Sequence, residues 1–330
     1  MIRTTLTLLG MLAVLVFAPT TTKAADYVWH LNMSTAAADP HNIAARIMSD
    51  LVKYRSKGKM ELVIHDNLEL ASIEDGLEMT RKGTIGGQMC HNSSAAYLVR
   101  WLSALDLPFI VTSYENAASL MNGWLGTEMN TALEKHNLKV LMSATLGFRH
   151  FGSNGKPILT PDDIKGMKVR AMPSAIVPRM YEAWGAKPVT LPWSELYSAM
   201  QSGVVSAYDC PTTSMISTKI DEVTTYISIA GLLYSSSSVL INKQKFDALP
   251  KNLQDILTFA GRVAGDYVWH ETMVKESINA SLLKERGKKV YYLTEEQKQM
   301  FKEKLTPVYE WAAKEYGKEL VERLVGKRLD

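Results

Sequence analysis

The sequence predicts an α/β protein of two lobes. Each lobe is a mixed, mostly parallel sheet flanked by helices, with a hinge between them. Three observations carry this. The run 165–211 alternates strand, helix, strand, helix, strand, a pattern that builds a parallel sheet with helical crossovers. The same alternation fills residues 26–90, so the chain holds two units of one kind. The strand-like stretch 224–242 is too long for one strand of a single domain, since strands mostly run ~3–10 residues. It therefore reads as the chain crossing back to the first lobe.

The elements follow in order. Residues 26–34 read as a buried first strand, and Ala36 to Lys57 as a helix with Ile43, Ile47, Leu51 and Tyr54 at helical spacing. Residues 60–66 form a second strand, 73–83 a helix stopped by Gly83, and 84–90 a third strand loosened by Gly86 and Gly87. Tyr114 to Lys135 is helical, and 139–146 is a strand leaving the first lobe. In the second lobe, 168–172 is a short strand stopped by Pro173. A helix with Ile176, Met180 and Ala183 on one face follows and ends at Gly185. Residues 189–191 are a strand ended by Pro192, and Ser194 sits where an N-cap belongs. The helix it opens runs to Gly203, and 204–208 is a third strand. Leu253 to Lys284 is one long helix, and 295–317 is helical again. The expected lobes are 26–146 with about 236–265, and 147–235 with part of 266–330. Two crossings make a hinge and a cleft suited to closure around a ligand.

Residues 1–25 stand apart. Arg3 precedes an apolar run from Leu6 to Ala18 and then small residues, the form of a cleaved signal peptide. The apolar run is short for a membrane span, which needs roughly 20 residues. The net charge of +3 includes Arg3 and Lys23, so the mature chain is nearly neutral. That argues against nucleic acid as a partner. Two cysteines, Cys90 and Cys210, are too few for a disulfide framework and read as separate thiols.

Ligands of parallel sheets bind outside the carboxyl ends of the strands. At those ends in 165–211 lie Arg170, Trp193, Asp209 and Cys210. An arginine at a strand end offers a planar fork that matches a carboxylate or sulfonate in two parallel hydrogen bonds. Catalytic patterns are missing: there is no GxSxG, HExxH, Walker loop or GxGxxG. Cys90 and His91 are adjacent in sequence, so on a strand they face opposite ways. The seven histidines show no metal-ligand spacing. No cofactor is expected, and the chain reads as a non-enzyme.

Within 165–211 stand Lys165, Gly166, Lys168, Arg170, Ser194, Glu195, Tyr197, Ala199, Gln201, Gly203, Val205 and Pro211. This spacing resembles the signature segment of the DctP-type periplasmic solute-binding proteins of tripartite ATP-independent periplasmic (TRAP) transporters. The stretches 160–166 and 240–254 are similar to the same family, and the likeness spans the mature chain. It implies the two-lobed periplasmic binding protein fold with a long helix spanning both lobes. It also implies a periplasmic location, capture of a small organic acid anion, and delivery to membrane subunits driven by an ion gradient.

The resemblance assigns residues. Arg170 pairs with the ligand's acid group. Arg149 matches the family's second ligand arginine, with a hinge-region salt bridge as the alternative. Trp193 walls the pocket. Cys210 stands where the family commonly has a ligand-contacting Asn, which removes one polar contact, and Asp209 faces structure. His91 lies where sialic-acid-binding members hold a Glu, and a histidine there favours anions, the more so when protonated. Ser34 and Thr35 stand in the place of another ligand contact. Together these suit a compact acid: a dicarboxylate, a hydroxy or keto acid, or a small sulfonate such as isethionate. A sensory module presenting the same ligand to a receptor, or a periplasmic enzyme, are the rival readings.

Overall fold

The computed structural model describes residues 24–326, 328 and 329. The expected signal peptide lies outside them, apart from its last two residues. The described residues hold ten strands: β1 (Tyr27–Asn32), β2 (Met60–His65), β3 (Gly87–His91), β4 (Leu138–Ser153), β5 (Lys168–Ala171), β6 (Lys187–Thr190), β7 (Ala207–Pro211), β8 (Tyr226–Ile229), β9 (Tyr234–Asn242) and β10 (Lys289–Tyr292). They form one hydrogen-bonded path, β2-β1-β3-β9-β4-β7-β5-β6, with β8 and β10 branching from β4. Pairing is parallel for β2-β1-β3 and for β7-β5-β6. It is antiparallel wherever β4 or β9 takes part.

β4 is where the two lobes meet. Its 16 residues pair with β9 from Leu138 to Phe148, then with β7 from Arg149 to Ser153. The register slips at Val140/Met142 and at Thr145/Gly147, and such irregularities bend and twist a strand. Gly147 sits at the second slip with φ of 96°, a left-handed conformation that side chains resist. A Cβ there would lie 2.9 Å from the Tyr114 hydroxyl. β9 is buried along its whole length, so the run Ser235–Ser238 belongs to a strand.

The helix Lys251–Glu285 has 35 residues and packs on β4 with no side chain between at two places. A Cβ at Gly261 would lie 2.2 Å from the Leu141 carbonyl, and one at Gly265 2.5 Å from that of Ser143. Further along, Glu276 accepts from the Tyr114 hydroxyl and lies 3.2 Å from His150 Nε2. His150 Nδ1 in turn accepts from the amides of Ala230 and Gly231. One helix thus braces both chain crossings.

Two separate apolar clusters form on either side. Leu31, Met48, Leu62, Met142, Ile241 and Leu257 belong to the first; Leu196, Met200, Tyr208, Met215 and Ile227 belong to the second. A third joins the turn Arg100–Asp106, the helix Val177–Ala183 and the C-terminal helices, through Leu102, Met180, Trp184, Phe301 and Tyr309.

Some local expectations are corrected. Ser194 is not an N-cap: Trp193–Glu195 is a 3-10 turn with no side-chain cap, and the helix begins at Leu196. The helix over 114–135 is two, Tyr114–Met121 and Trp124–Glu134, interrupted at Asn122 and Gly123. The third strand of the second lobe starts at Ala207 rather than 204, so Asp209 and Cys210 lie inside it. Arg149 lies within β4 rather than after it.

Candidate functional site

β5 carries Arg170 into the space between the lobes, where the residue is 2% exposed. Its Nε donates to the Leu191 carbonyl at 3.1 Å, and its guanidinium lies 5.7 Å from the centre of the half-buried Trp193 ring. Among the described residues its Nη groups have no hydrogen-bond acceptor. Burial, and then the neighbouring Arg149, pull its pKa down to about 10, so it stays charged at neutral pH. A buried charge with free donors is costly unless something pairs with it.

Arg149 is engaged. Its Nε donates to the Asp209 carboxylate, Nη2 to the Asp209 carbonyl, and Nη1 to Ser235 at 3.4 Å. Asp209 also accepts from the Tyr181 hydroxyl. The salt bridge weighed as the alternative for Arg149 is present, and Asp209 faces structure.

Both arginines line a cavity of about 120 Å³, together with Ser34, Thr35, His91, Trp193 and Cys210. Thr35 donates to Asn42 Oδ1, and Ser34 to Met89 Sδ. The Cys210 thiol is fully buried 3.5 Å from the Pro211 carbonyl, and burial pushes it up to about 12. Cys90 is buried too, and both thiols are free.

His91 departs from the cation that a protonated imidazole would supply. Burial and the field of Arg149 hold it down at about 3, so it is neutral at pH 7. Its Nδ1 is 2.8 Å from Ser93 Oγ and 3.6 Å from Asp106 Oδ1, and its Nε2 is buried without a partner. Burial pushes Asp106 up to about 6.

The model of the bacterial extracellular solute-binding proteins of family 7, DctP, matches residues 31–315. This chain belongs to that family. The 2,3-diketo-L-gulonate-binding periplasmic protein YiaO of Escherichia coli is 30% identical over 71% of each chain. The C4-dicarboxylate-binding protein DctB of Bacillus subtilis is 28% identical over 92% of this chain and 87% of its own. A TRAP periplasmic solute-binding protein from Sulfurospirillum deleyianum, solved with bound succinate, superposes with a TM-score of 0.87. It is 26% identical and covers 91% of this chain and 98% of its own.

In this DctP-type protein two hydrogen bonds cross between the lobes beside the cavity. Ser174 donates to Asp106 Oδ2 at 2.6 Å, and Ser217 to Asp39 Oδ2 at 3.2 Å. The sequence reading missed Asp106 and Ser174. A lone Asp in the apolar run 101–110 was the available signal, because a buried carboxylate needs partners. It also missed Met172 and Ser214, which line the cavity. Both follow strand ends, where the rule on parallel sheets points. Among the described residues no group of three or more His, Cys, Asp or Glu side chains is placed to hold a metal ion.

Proposed function

We propose that the chain is the solute receptor of a TRAP transporter. It takes a small organic acid anion, a carboxylate or small sulfonate, into the cavity between its lobes and hands it to the membrane subunits. The observation that carries this is Arg170: a buried guanidinium whose Nη donors have no acceptor among the described residues, facing the cavity between the lobes. An acid group supplies the missing partner in fork geometry. Closure excludes water and strengthens the pairing. Trp193, Ser34, Thr35, His91 and Cys210 shape the rest of the cavity, and Arg149 with Asp209 holds its floor. YiaO and DctB are named for sugar-acid and dicarboxylate binding, which supports an organic acid here. Export to the periplasm, with residues 1–25 removed, belongs to the same proposal.

The test is thermal-shift screening of purified protein against carboxylates and sulfonates. A ligand at about 100 times its dissociation constant adds about 2.7 kcal/mol of stability, a shift that is readily seen. An organic-acid library without a single stabilising member rejects the proposal.

A further inference from the structure

We infer that the ligand is a small hydroxy-monocarboxylate, one negative charge with a hydroxyl near it, rather than a dicarboxylate or a hexose acid. The inference rests on the proposed receptor function and concerns which acid the site selects.

The cavity has one cation to offer. Arg149 is neutralised by Asp209, which leaves Arg170. Arg149 and Arg170 are the only basic side chains among the described residues that line the cavity. The charged groups on the opposite, first-lobe side are acids: Glu74 at the exposed rim, and Asp106 behind Ser93 and His91. A second carboxylate reaching across from Arg170 meets negative charge and a neutral imidazole.

The hydroxyls of that wall add a second argument. Asn42 Nδ2 donates to Asp66, which fixes its Oδ1 toward Thr35. The Thr35 proton is therefore used on Asn42, and the Ser34 proton on Met89. Both oxygens present lone pairs to the cavity. Lone pairs repel a carboxylate and accept from a ligand hydroxyl. On the second-lobe wall, Ser194 and Ser214 have no hydrogen-bond acceptor for their hydroxyls among the described residues, which puts donors on the side of Arg170. Ser94, which also lines the outer groove next to the cavity, is the one cavity-lining first-lobe hydroxyl with a spare proton among the described residues. Charge and donors thus gather around Arg170, and acceptors stand at Ser34 and Thr35; Ser217 and Thr218, whose protons go to Asp39 and to the Ser214 carbonyl, add acceptors on the second-lobe wall.

Volume sets the length. An apolar cavity of ~150 Å³ holds benzene. On that scale the 120 Å³ here holds about five non-hydrogen atoms, close to the size of lactate and far short of a hexose acid.

The experiment is titration calorimetry on the purified mature protein with lactate, 2-hydroxybutyrate, butyrate, succinate, malate and galacturonate. The expected result is that lactate or 2-hydroxybutyrate binds tightest, with succinate, malate and galacturonate each weaker by at least tenfold. Butyrate falls about 5- to 150-fold below 2-hydroxybutyrate, the range for leaving buried polar groups unpaired. In the Ser34→Ala/Thr35→Val double variant the ratio of 2-hydroxybutyrate to butyrate affinity drops toward one. Both ligands are read on the same protein, so a general loss of folding cancels, and the wild-type ratios decide if the variant does not fold. Succinate, malate or galacturonate matching the hydroxy monoacids overturns this inference and leaves the receptor function standing. So does butyrate equal to 2-hydroxybutyrate, or an unchanged ratio in the double variant. Silence from all six acids overturns this inference, while the receptor function falls only with a silent carboxylate and sulfonate library.

Discussion

Arg149 and Asp209 lie on neighbouring antiparallel strands, β4 and β7, and form a buried ion pair closed by both the carboxylate and the backbone carbonyl of Asp209. Beside it Arg170 has no such partner. Two arginines of the same charge therefore stand differently: one is paired within the fold, and the other, under the function proposed, is the one open to a ligand's acid group.

Asp209→Ala is expected to cost about 3–5 kcal/mol of stability, because it leaves the Arg149 charge buried and unpaired. The Tyr181 hydroxyl loses its acceptor as well. Denaturant unfolding measures this, and a loss below about 1 kcal/mol, within the ordinary worth of a surface pair, contradicts the role.

Arg170→Met has the opposite signature. Burial lowers the Arg170 pKa, so the charged form is disfavoured in the folded protein and weakens the unliganded fold at neutral pH. Removing it raises the apo melting temperature. Truncating one partner of a buried charge pair costs ~2–5 kcal/mol, so affinity for the acid falls by roughly 30-fold to several thousand-fold at ~1.4 kcal/mol per tenfold. Arg170→Lys also loses much of the affinity, since an ammonium makes no paired fork. Calorimetry and melting on the same samples check both halves. Binding within threefold of wild type rejects the assignment.

His91 and Asp106 pull the pH profile of stability in opposite directions. The imidazole is lowered to about 3; its contribution is present above the ordinary value of ~6.5 and is lost as pH falls from there toward 3. The carboxyl is raised to about 6; its contribution is present below the ordinary value of ~3.9 and is lost as pH rises toward 6. His91→Gln should therefore gain relative to wild type as pH falls from 6.5 to 4, and Asp106→Asn as pH rises from 4 to 6.5. Melting curves across that window test the signs. Between pH 7 and 8.5 the dissociation constant should not vary with pH through His91, and a slope there that His91→Gln removes would show that the ligand draws a proton onto it.

Ser174→Ala removes a donor to Asp106 across the lobes without removing a cavity-lining side chain. Hydrogen bonds to charged groups contribute about 1.5–3 kcal/mol. A loss of about tenfold or more in affinity is expected, appearing as faster release by stopped flow. Unchanged release would mean that this bond does not hold the closed form.

Much of this protein was legible in its sequence, because the signals concerned are local. Helices declare themselves by spacing and by glycines such as Gly83, Gly185 and Gly203, all with left-handed φ. The alternation of strand and helix in 165–211 reports a parallel sheet, and a strand end places Arg170. The return of the chain showed in the excess length of 224–242. The tertiary structure decided what depends on partners far along the chain. Arg149 meets Asp209 across 60 residues and Ser235 across 86, so its engagement cannot be read from its own neighbours. Only the fold buries His91 deeply enough to keep it neutral. Asp106 and Ser174, 68 residues apart, meet only when the lobes do. Local sequence encodes backbone period and turn, which a few adjacent residues set. Charge state and hydrogen-bond satisfaction are set by burial and by long-range contacts, which exist only once the chain has folded.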